Sequence, residues 1–207
     1  MKNVINIAVI GLGQIGSYLL NELNHKTRDI ELKTGKKIRV VGISAKNKNK
    51  KRKFKINKKI FFNNPFDIFK KNHVDIMFEC IGFSDGISKR IVEFALNNKC
   101  HVITPNKALI SKHGDNLSLL AEKNMVNLEF EASVAGGIPI LRTIKEGLAT
   151  NKINKIYGIL NGTCNYILSE MEKKNETFAN VLKKAQILGY AEPGNPKLDL
   201  NGHDAYA

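Results

Sequence analysis

The sequence predicts an α/β protein: a doubly wound domain built on a parallel sheet, followed by a partial α+β domain. Three observations predict this class. Over the first 130 residues, apolar runs rich in β-branched residues alternate with segments of helical periodicity. The first apolar run ends in a glycine-rich turn, Gly11–Gly16. After residue 131 the alternation gives way to a segment rich in small residues and then to helical patterns. We therefore expect one domain at 1–130 and a second, partial domain at 131–207.

The individual elements follow from the same periodicities. Strands are expected where short apolar runs are bounded by glycine or polar residues, at 5–10, 38–44, 74–80, 100–104 and 126–131. Helices are expected where apolar residues recur on one face, at 15–23, 88–97 and 116–123. The Lys- and Asn-rich stretch 46–59 is expected to be an exposed loop. In the second domain we expect a helix at 140–148, a strand at 155–160, and helices at 165–174 and 178–188.

Composition excludes several classes of protein. No apolar run reaches the roughly 18 residues that a membrane span requires. The apolar N-terminal stretch runs directly into the glycine turn without a small-residue cleavage site, which favours a buried strand over a signal peptide. Cytoplasm is therefore the expected location, and no membrane partner is expected.

Cysteine and histidine give no sign of a disulfide or metal framework. Cys80, Cys100 and Cys164 are odd in number and far apart, and the five histidines form no pairs at helical spacing. Each cysteine is interpreted as a small buried residue rather than a nucleophile.

The net charge of +14 raises the hypothesis of a nucleic-acid-binding protein. However, the basic residues are 28 lysines and only 5 arginines, and they accompany 24 asparagines and 24 isoleucines. This combination is typical of AT-rich coding sequence, whereas nucleic-acid sites more often use arginine with interleaved aromatic residues. We expect no nucleic-acid partner.

The turn after the first strand fits the pattern G-x-G-x-x-G and lies between a predicted strand and a predicted helix, which is the context that gives this short motif weight. Gly11 permits the tight turn, Gly13 lets a pyrophosphate approach the backbone, and Gly16 lets helix and strand pack closely. The helix N-terminus at Gln14 and Ile15 offers N–H groups to the phosphates. The motif predicts a dinucleotide site.

The residues after the second strand favour NADP over NAD, which remains an alternative. An NAD site usually carries an acid at this strand end, for the ribose 2′-hydroxyl. Here the strand ends at Ser44 and is followed by Lys46 and further basic residues, with no acid. A basic cluster can neutralise a 2′-phosphate. A solvated loop of biased composition is the competing interpretation for any single lysine.

Three further segments carry candidate chemistry. Lys107 follows Pro105 after a predicted strand and so lies at the carboxyl edge of the sheet, where it could act on a substrate oxygen. Residues 131–139 contain small residues that let backbone carbonyls converge on a ligand or cation, although a domain-crossing turn is an equal interpretation. Glu192, Asp199 and Asp204 could bind a substrate ammonium, although either Asp could instead cap a helix.

Together these motifs resemble homoserine dehydrogenase along essentially the whole chain. The resemblance implies a Rossmann domain followed by a substrate and dimerisation region, and reversible NAD(P)-dependent reduction of L-aspartate 4-semialdehyde to L-homoserine in threonine, methionine and isoleucine biosynthesis. It also implies a homodimer. The segments that carry it are Gly11–Gly16, Thr34–Val41, Thr104–Ala108, Glu131–Pro139, Asn161–Tyr166 and Gly189–Glu192.

The resemblance also implies roles for individual residues. Lys107 would lie between cofactor and substrate as a catalytic and binding residue, and Gly189 would lie against the cofactor. The substrate would be bound by Glu192 and Asp204, with Asp199 nearby. A monovalent cation, sodium in the family, would be held by the backbone carbonyls of Glu131, Val134, Gly136 and Ile138.

The chain departs from the family pattern in two places. The turn between Glu192 and Asp199 carries one residue more than is usual, and the family's proton-donor lysine would fall one position beyond Ala207. We therefore expect a fragment that binds NADP but is catalytically inactive. Two alternatives are a semialdehyde reductase with a cysteine nucleophile, for which no suitable Cys–His pattern is present, and a basic Rossmann module that binds nucleotide or nucleic acid without catalysis.

Overall fold

The computed structural model describes residues 3–50, 52, 56–191, 200–202 and 206. The chain divides into two compact units, 1–133 and 134–207.

A six-stranded parallel sheet forms the centre of the first unit. The strands are β1 (Val4–Ile10), β2 (Lys37–Ser44), β3 (Phe61–Phe62), β4 (Ile76–Glu79), β5 (His101–Ile103) and β6 (Leu128–Glu129). Their spatial order is β3-β2-β1-β4-β5-β6, so the chain winds outward from β1 in one direction and then returns to continue in the other. The predicted doubly wound fold is confirmed.

Helices cover both faces of this sheet: α1 (Gln14–His25), α2 (Thr27–Thr34), α3 (Phe66–Lys71), α4 (Ile87–Asn97) and α5 (Lys107–Lys123). The alternating residues of β1 enter two different cores. Ala8 and Ile10 belong to the larger core with α3, α4 and α5, whereas Ile7 and Val9 belong to the core that includes α1.

The structure corrects the expected helices of the first unit. Helix α5 begins at Lys107 rather than at 116, because the Asn106 side chain accepts a hydrogen bond from Leu109 N and caps it. Helices α2 and α3 were not predicted. None of the residues of α2 is buried, so it leaves no apolar periodicity to detect.

The described part of the second unit consists of helices and irregular segments. Helix α6 (Ile140–Arg142) continues as a π-helical turn, Thr143–Gly147, in place of the regular helix expected at 140–148. Helices α7 (Gly162–Lys174) and α8 (Phe178–Ile187) pack around a small core. The strand expected at 155–160 is not formed in the described residues, and Ile156, Tyr157 and Leu160 are exposed there.

Within the described residues, no helix has both the length and the apolar character needed to cross a membrane.

Candidate active site

The glycine turn lies at the centre of the sheet, at the carboxyl end of β1. Gly11 has a φ of +94°, and its N–H donates to the Ser44 carbonyl at 2.9 Å. A Cβ at Gly11 would collide with the backbone of Cys80 and Ile81, and one at Gly16 would collide with the Gly11 oxygen. Only glycine therefore fits at these two positions, as the sequence pattern predicts.

The start of α1 is open to an anionic group. The helix begins at Gln14, and within the described residues no side chain caps its first turn. A Cβ at Gly13 would meet nothing within 4 Å. Ile15 is 58% exposed. Free N–H groups at a helix N-terminus beside empty space suit a pyrophosphate, so these residues fit a dinucleotide.

The carboxyl end of β2 adjoins this turn and carries basic residues. Ser44 is buried, whereas Lys46 is exposed. Arg52 lies against both segments, because its Nε donates to the Leu12 carbonyl at 3.3 Å and its second terminal nitrogen donates to the Asn47 carbonyl at 2.9 Å. Sequence reasoning treated Arg52 as one of the basic residues that follow Lys46, and it missed this bridging position.

A cavity of about 660 Å³ opens beside the basic loop, the Lys- and Asn-rich stretch 46–59 that follows β2. Its wall includes Lys48, whose Nζ lies 5.4 Å from the centroid of the Phe61 ring. The ring face attracts the ammonium group, and a cavity wall with several basic residues favours an anionic ligand. The remaining lining residues are Asn49, Lys50, Arg52, Ile56, Asn57, Lys58 and Lys59.

A buried polar cluster lies at the carboxyl ends of β4 and β5. Glu79 is fully buried, and its carboxylate accepts hydrogen bonds from Thr104 Oγ1 at 2.6 Å and from Ile81 N at 2.8 Å. Asn106 Nδ2 donates to the Phe83 carbonyl at 2.9 Å and lies 3.4 Å from Glu79 Oε1. Sequence reasoning missed Glu79, since it ends an apolar run and its partners lie some 25 residues away.

Lys107 is the first residue of α5 and is exposed. It follows the capping residue Asn106 directly, so its backbone is fixed by the buried cluster. Because β4 lies between β1 and β5, the ends of β1 and β5 are about 10 Å apart. Lys107 and the glycine turn therefore share one edge of the sheet, as predicted.

The loop between β4 and α4 is tied to α5 by an exposed acid. Asp85 accepts a hydrogen bond from Lys112 Nζ at 2.7 Å and lies 3.0 Å from His113 Nε2. Ser84 Oγ donates to the same carboxylate. The hydrogen bonds from Lys112, Ser84 and His113 hold the pKa of Asp85 well below its ordinary value. Sequence reasoning did not single out this residue.

The segment predicted to hold a cation has an unusual backbone. Ala135, Gly136 and Gly137 all have positive φ values, of 51°, 57° and 98°. Among the described residues no group of three or more His, Cys, Asp or Glu side chains could hold a metal ion. A cation here would therefore depend on backbone carbonyls. Glu131 belongs to the first unit, whereas Val134, Gly136 and Ile138 belong to the second, and their role as ligands stays a prediction.

In the second unit two of the singled-out motifs come together. Thr163, in the first turn of α7, donates from Oγ1 to the Tyr190 carbonyl at 2.5 Å. The Tyr166 ring stacks on the Tyr190 ring with centroids 4.7 Å apart. Gly189 has a φ of +79°, which suits the turn that ends α8. The segments Asn161–Tyr166 and Gly189–Ala191 therefore form one local structure.

The three predicted substrate carboxylates, Glu192, Asp199 and Asp204, lie outside the described residues. Their roles remain predictions.

Two of the three thiols are poorly suited to nucleophilic chemistry. Burial raises the pKa of Cys80 to about 12, with a smaller contribution from neighbouring Glu79. Burial likewise raises the pKa of Cys100 to about 12. A thiol that stays protonated is a weak nucleophile, which counts against a cysteine-dependent reductase.

Comparison with known families gives two matches that together cover most of the chain. Residues 11–131 match the family model described as homoserine dehydrogenase, NAD binding domain. Residues 139–207 match the model described as homoserine dehydrogenase.

Individual proteins agree with these matches. The homoserine dehydrogenase of Neisseria gonorrhoeae is 41% identical over 97% of this chain and 46% of its own length. The crystal structure of a homoserine dehydrogenase from Thiobacillus denitrificans, 39% identical, superimposes with a TM-score of 0.76 over 98% of this chain and 46% of that one. A hyperthermophilic archaeal homoserine dehydrogenase in complex with NADPH, 22% identical, shares the fold with a TM-score of 0.71 over 98% of this chain and 66% of its own. The chain thus spans less than half the length of the first two proteins.

Proposed function

Because the chain belongs to the homoserine dehydrogenase family, we propose that it carries the cofactor-binding part and a portion of the catalytic part of an NADP-dependent oxidoreductase. The reaction is the reversible reduction of L-aspartate 4-semialdehyde to L-homoserine, in amino-acid biosynthesis. The observation that carries the proposal is the placement of the glycine turn and Lys107 at one edge of the sheet.

The residues of the first unit divide the work of binding between two ends of the cofactor. The turn Gly11–Gly16 and the first turn of α1 receive the pyrophosphate through backbone N–H groups. Lys46 and the basic loop receive the 2′-phosphate of the adenosine ribose. A bound nicotinamide supplies a hydride to the aldehyde carbon or accepts one from the alcohol.

Lys107 acts at the other end of the cofactor. Its side-chain nitrogen contacts the reacting oxygen and favours the negative charge that develops there. Glu192, Asp199 and Asp204 orient the substrate. Carbonyls of Glu131, Val134, Gly136 and Ile138 hold a monovalent cation. Homodimer formation and a cytoplasmic location belong to the same proposal.

Paired titrations with NADPH and NADH test the cofactor assignment. Wild-type chain should bind NADPH more tightly than NADH. Lys46→Glu should weaken NADPH binding by about tenfold or more and NADH binding far less, since the added carboxylate repels a 2′-phosphate and can accept from a 2′-hydroxyl. Lys123→Glu, at the far end of α5, makes the same change of charge and should leave both affinities unchanged.

Reduction of aspartate semialdehyde by the same protein tests the chemical assignment. NADPH oxidation that depends on this aldehyde would support the proposal directly. Binding without turnover is the result expected for this chain on its own, and it supports the cofactor site alone. Failure to bind either dinucleotide would remove the basis of the proposal.

A further inference from the structure

We propose that Glu79 is a positioning residue for Lys107, acting through Thr104 and Asn106. The inference rests on the proposed function, since that function assigns Lys107 its contact with the reacting oxygen.

The first step is the convergence of donors on one buried carboxyl group. Glu79 is fully buried at the end of β4. Its Oε2 accepts from Thr104 Oγ1 at 2.6 Å, and its Oε1 accepts from Ile81 N at 2.8 Å with Asn106 Nδ2 at 3.4 Å. A carboxylate can accept at both oxygens, whereas the isosteric glutamine offers one acceptor oxygen and an NH2 donor. Burying such a group costs stability unless all its partners are present.

The second step is the continuous path of hydrogen bonds from this carboxylate to the start of α5. Thr104 Oγ1 also accepts from Asn106 N at 3.0 Å. Asn106 Oδ1 in turn accepts from Leu109 N at 3.1 Å. Lys107, the residue after Asn106, is therefore placed by a turn whose backbone is held at both ends.

The third step is the position of the cluster. It joins two loops at the carboxyl edge of the sheet, because Asn106 Nδ2 also donates to the Phe83 carbonyl at 2.9 Å. An apolar residue in place of Glu79 could fill the same core volume, and such replacements of buried charged groups are often tolerated. It could not fix the direction of two loops. The glycine turn packs against the backbone of Cys80 and Ile81, next to this cluster. It also has a hydrogen bond of its own, from Gly11 N to the Ser44 carbonyl, which a change at Thr104 leaves in place.

The inference therefore separates two properties of the site. Loss of the cluster should move Lys107 while leaving the affinity of the glycine turn for the cofactor nearly intact. A purely structural role would affect both, together with global stability.

Site-resolved acylation of lysines, read by mass spectrometry with and without NADPH, tests this separation. Thr104→Val removes the hydroxyl and keeps the shape, whereas Thr104→Ser keeps the hydroxyl. We expect NADPH to shield Lys107 in the wild type and in Thr104→Ser. In Thr104→Val and Glu79→Gln most of this shielding should be lost, with NADPH affinity changed only slightly. Lys123, on the same helix, and the variant Glu122→Gln serve as controls.

The outcomes distinguish the two proposals. Wild-type chain that binds no dinucleotide overturns the proposed function and this inference with it. NADPH binding that leaves Lys107 unshielded in the wild type overturns the role of Lys107 and therefore the inference. Shielding retained in Thr104→Val, or an equal change at Lys123, overturns the positioning role alone. If Glu79→Gln does not fold, the comparison of the two Thr104 variants decides.

Discussion

Gly11 and Gly13, in the turn after β1, differ in whether the fold itself requires glycine. Gly11 combines a φ of +94° with a site where any Cβ would strike the backbone of Cys80. Gly13 has an ordinary φ of −74° and open space around it. Folding therefore demands glycine at Gly11, whereas only a ligand that closely approaches the backbone demands it at Gly13.

The variant Gly13→Ala should separate ligand binding from stability. We expect the free energy of unfolding to change by less than about 1 kcal/mol, since the alanine methyl meets no neighbour. NADPH affinity should fall by about tenfold or more, because the methyl group occupies the space of the pyrophosphate. Denaturant unfolding and a fluorescence titration measure the two quantities. Gly11→Ala is the matched control and should lose on the order of 3 kcal/mol of stability. Unchanged NADPH affinity in Gly13→Ala would contradict the pyrophosphate assignment.

At the scale of elements, Arg52 links the basic loop to the glycine turn. Its guanidinium donates to the carbonyls of Leu12, Asn47 and Lys50, at 3.3, 2.9 and 3.0 Å. A planar fork with donors in fixed directions can serve several carbonyls at once, which a lysine ammonium on a flexible stem cannot. The Arg52 guanidinium therefore ties residues 47–50, which follow β2, to Leu12 in the glycine turn.

Arg52→Lys should weaken discrimination between the two cofactors while conserving charge. We expect NADPH affinity to fall by about threefold to tenfold and NADH affinity to fall less, because a loosened loop presents Lys46 to the 2′-phosphate less well. Parallel titrations with both dinucleotides measure this. Arg142→Lys, in the second unit, is the control for the chemical change. An equal loss of affinity for NADPH and NADH would show that Arg52 supports only the glycine turn, since both cofactors carry the pyrophosphate that this turn is proposed to bind.

The link between Asp85 and α5 should make stability depend on pH. The pKa of Asp85 in the folded chain is held below its ordinary value of 3.8 by Lys112, Ser84 and His113. Its contribution is therefore present above that value and is lost as pH falls through the lower folded-state pKa. Wild type should be more stable than Asp85→Asn at about pH 7, and the difference should shrink toward about pH 3.

Urea unfolding of both proteins at several pH values measures that difference. Asp115→Asn, which changes another exposed acid, on α5, is the control. A stability difference that does not vary with pH would indicate that Asp85 acts through something other than its charge.

The sequence predicted those elements whose cause is local. An apolar run predicted β1, and one apolar face predicted α1. The need for glycine at Gly11 and Gly16 predicted the turn between them. The first half of α5 was missed because Thr104–Ala108 reads as a turn, and the cap that starts the helix depends on a buried cluster. The strand expected at 155–160 is absent because a strand forms only where another strand pairs with it, and periodicity does not reveal the partner.

The candidate site shows the same division. The positions of Gly11, Gly13, Gly16 and Lys107 were predicted because these residues follow strand ends, whereas their roles stay predictions. Glu79 was missed because one acid at the end of an apolar run signals nothing until Thr104 and Asn106 are brought beside it by parallel pairing of β4 and β5.

At the scale of the whole molecule, the two units differ in how much core each one buries. The first unit contains both large clusters of buried apolar residues, on the two faces of a complete six-stranded sheet. The second unit's cluster in the described residues has four buried members, Ile167, Val181, Ala185 and Ala191. Several large apolar side chains of that unit are exposed, among them Tyr157, Ile159 and Ile187.

These differences predict that residues 1–133 fold and bind NADPH without the rest of the chain. A domain of this size with two buried faces can reach ordinary stability. The described residues of 134–207 include four buried apolar side chains, too few to offset the loss of conformational entropy of those residues. Separate expression of 1–133 and 134–207 tests this. We expect the first piece to unfold cooperatively and to retain NADPH affinity, and the second to show no cooperative transition. Cooperative unfolding of isolated 134–207 would contradict the inference that its small core and exposed apolar residues make it unable to fold alone. Loss of NADPH binding in 1–133 would place part of the cofactor site, such as Gly189, in the second unit.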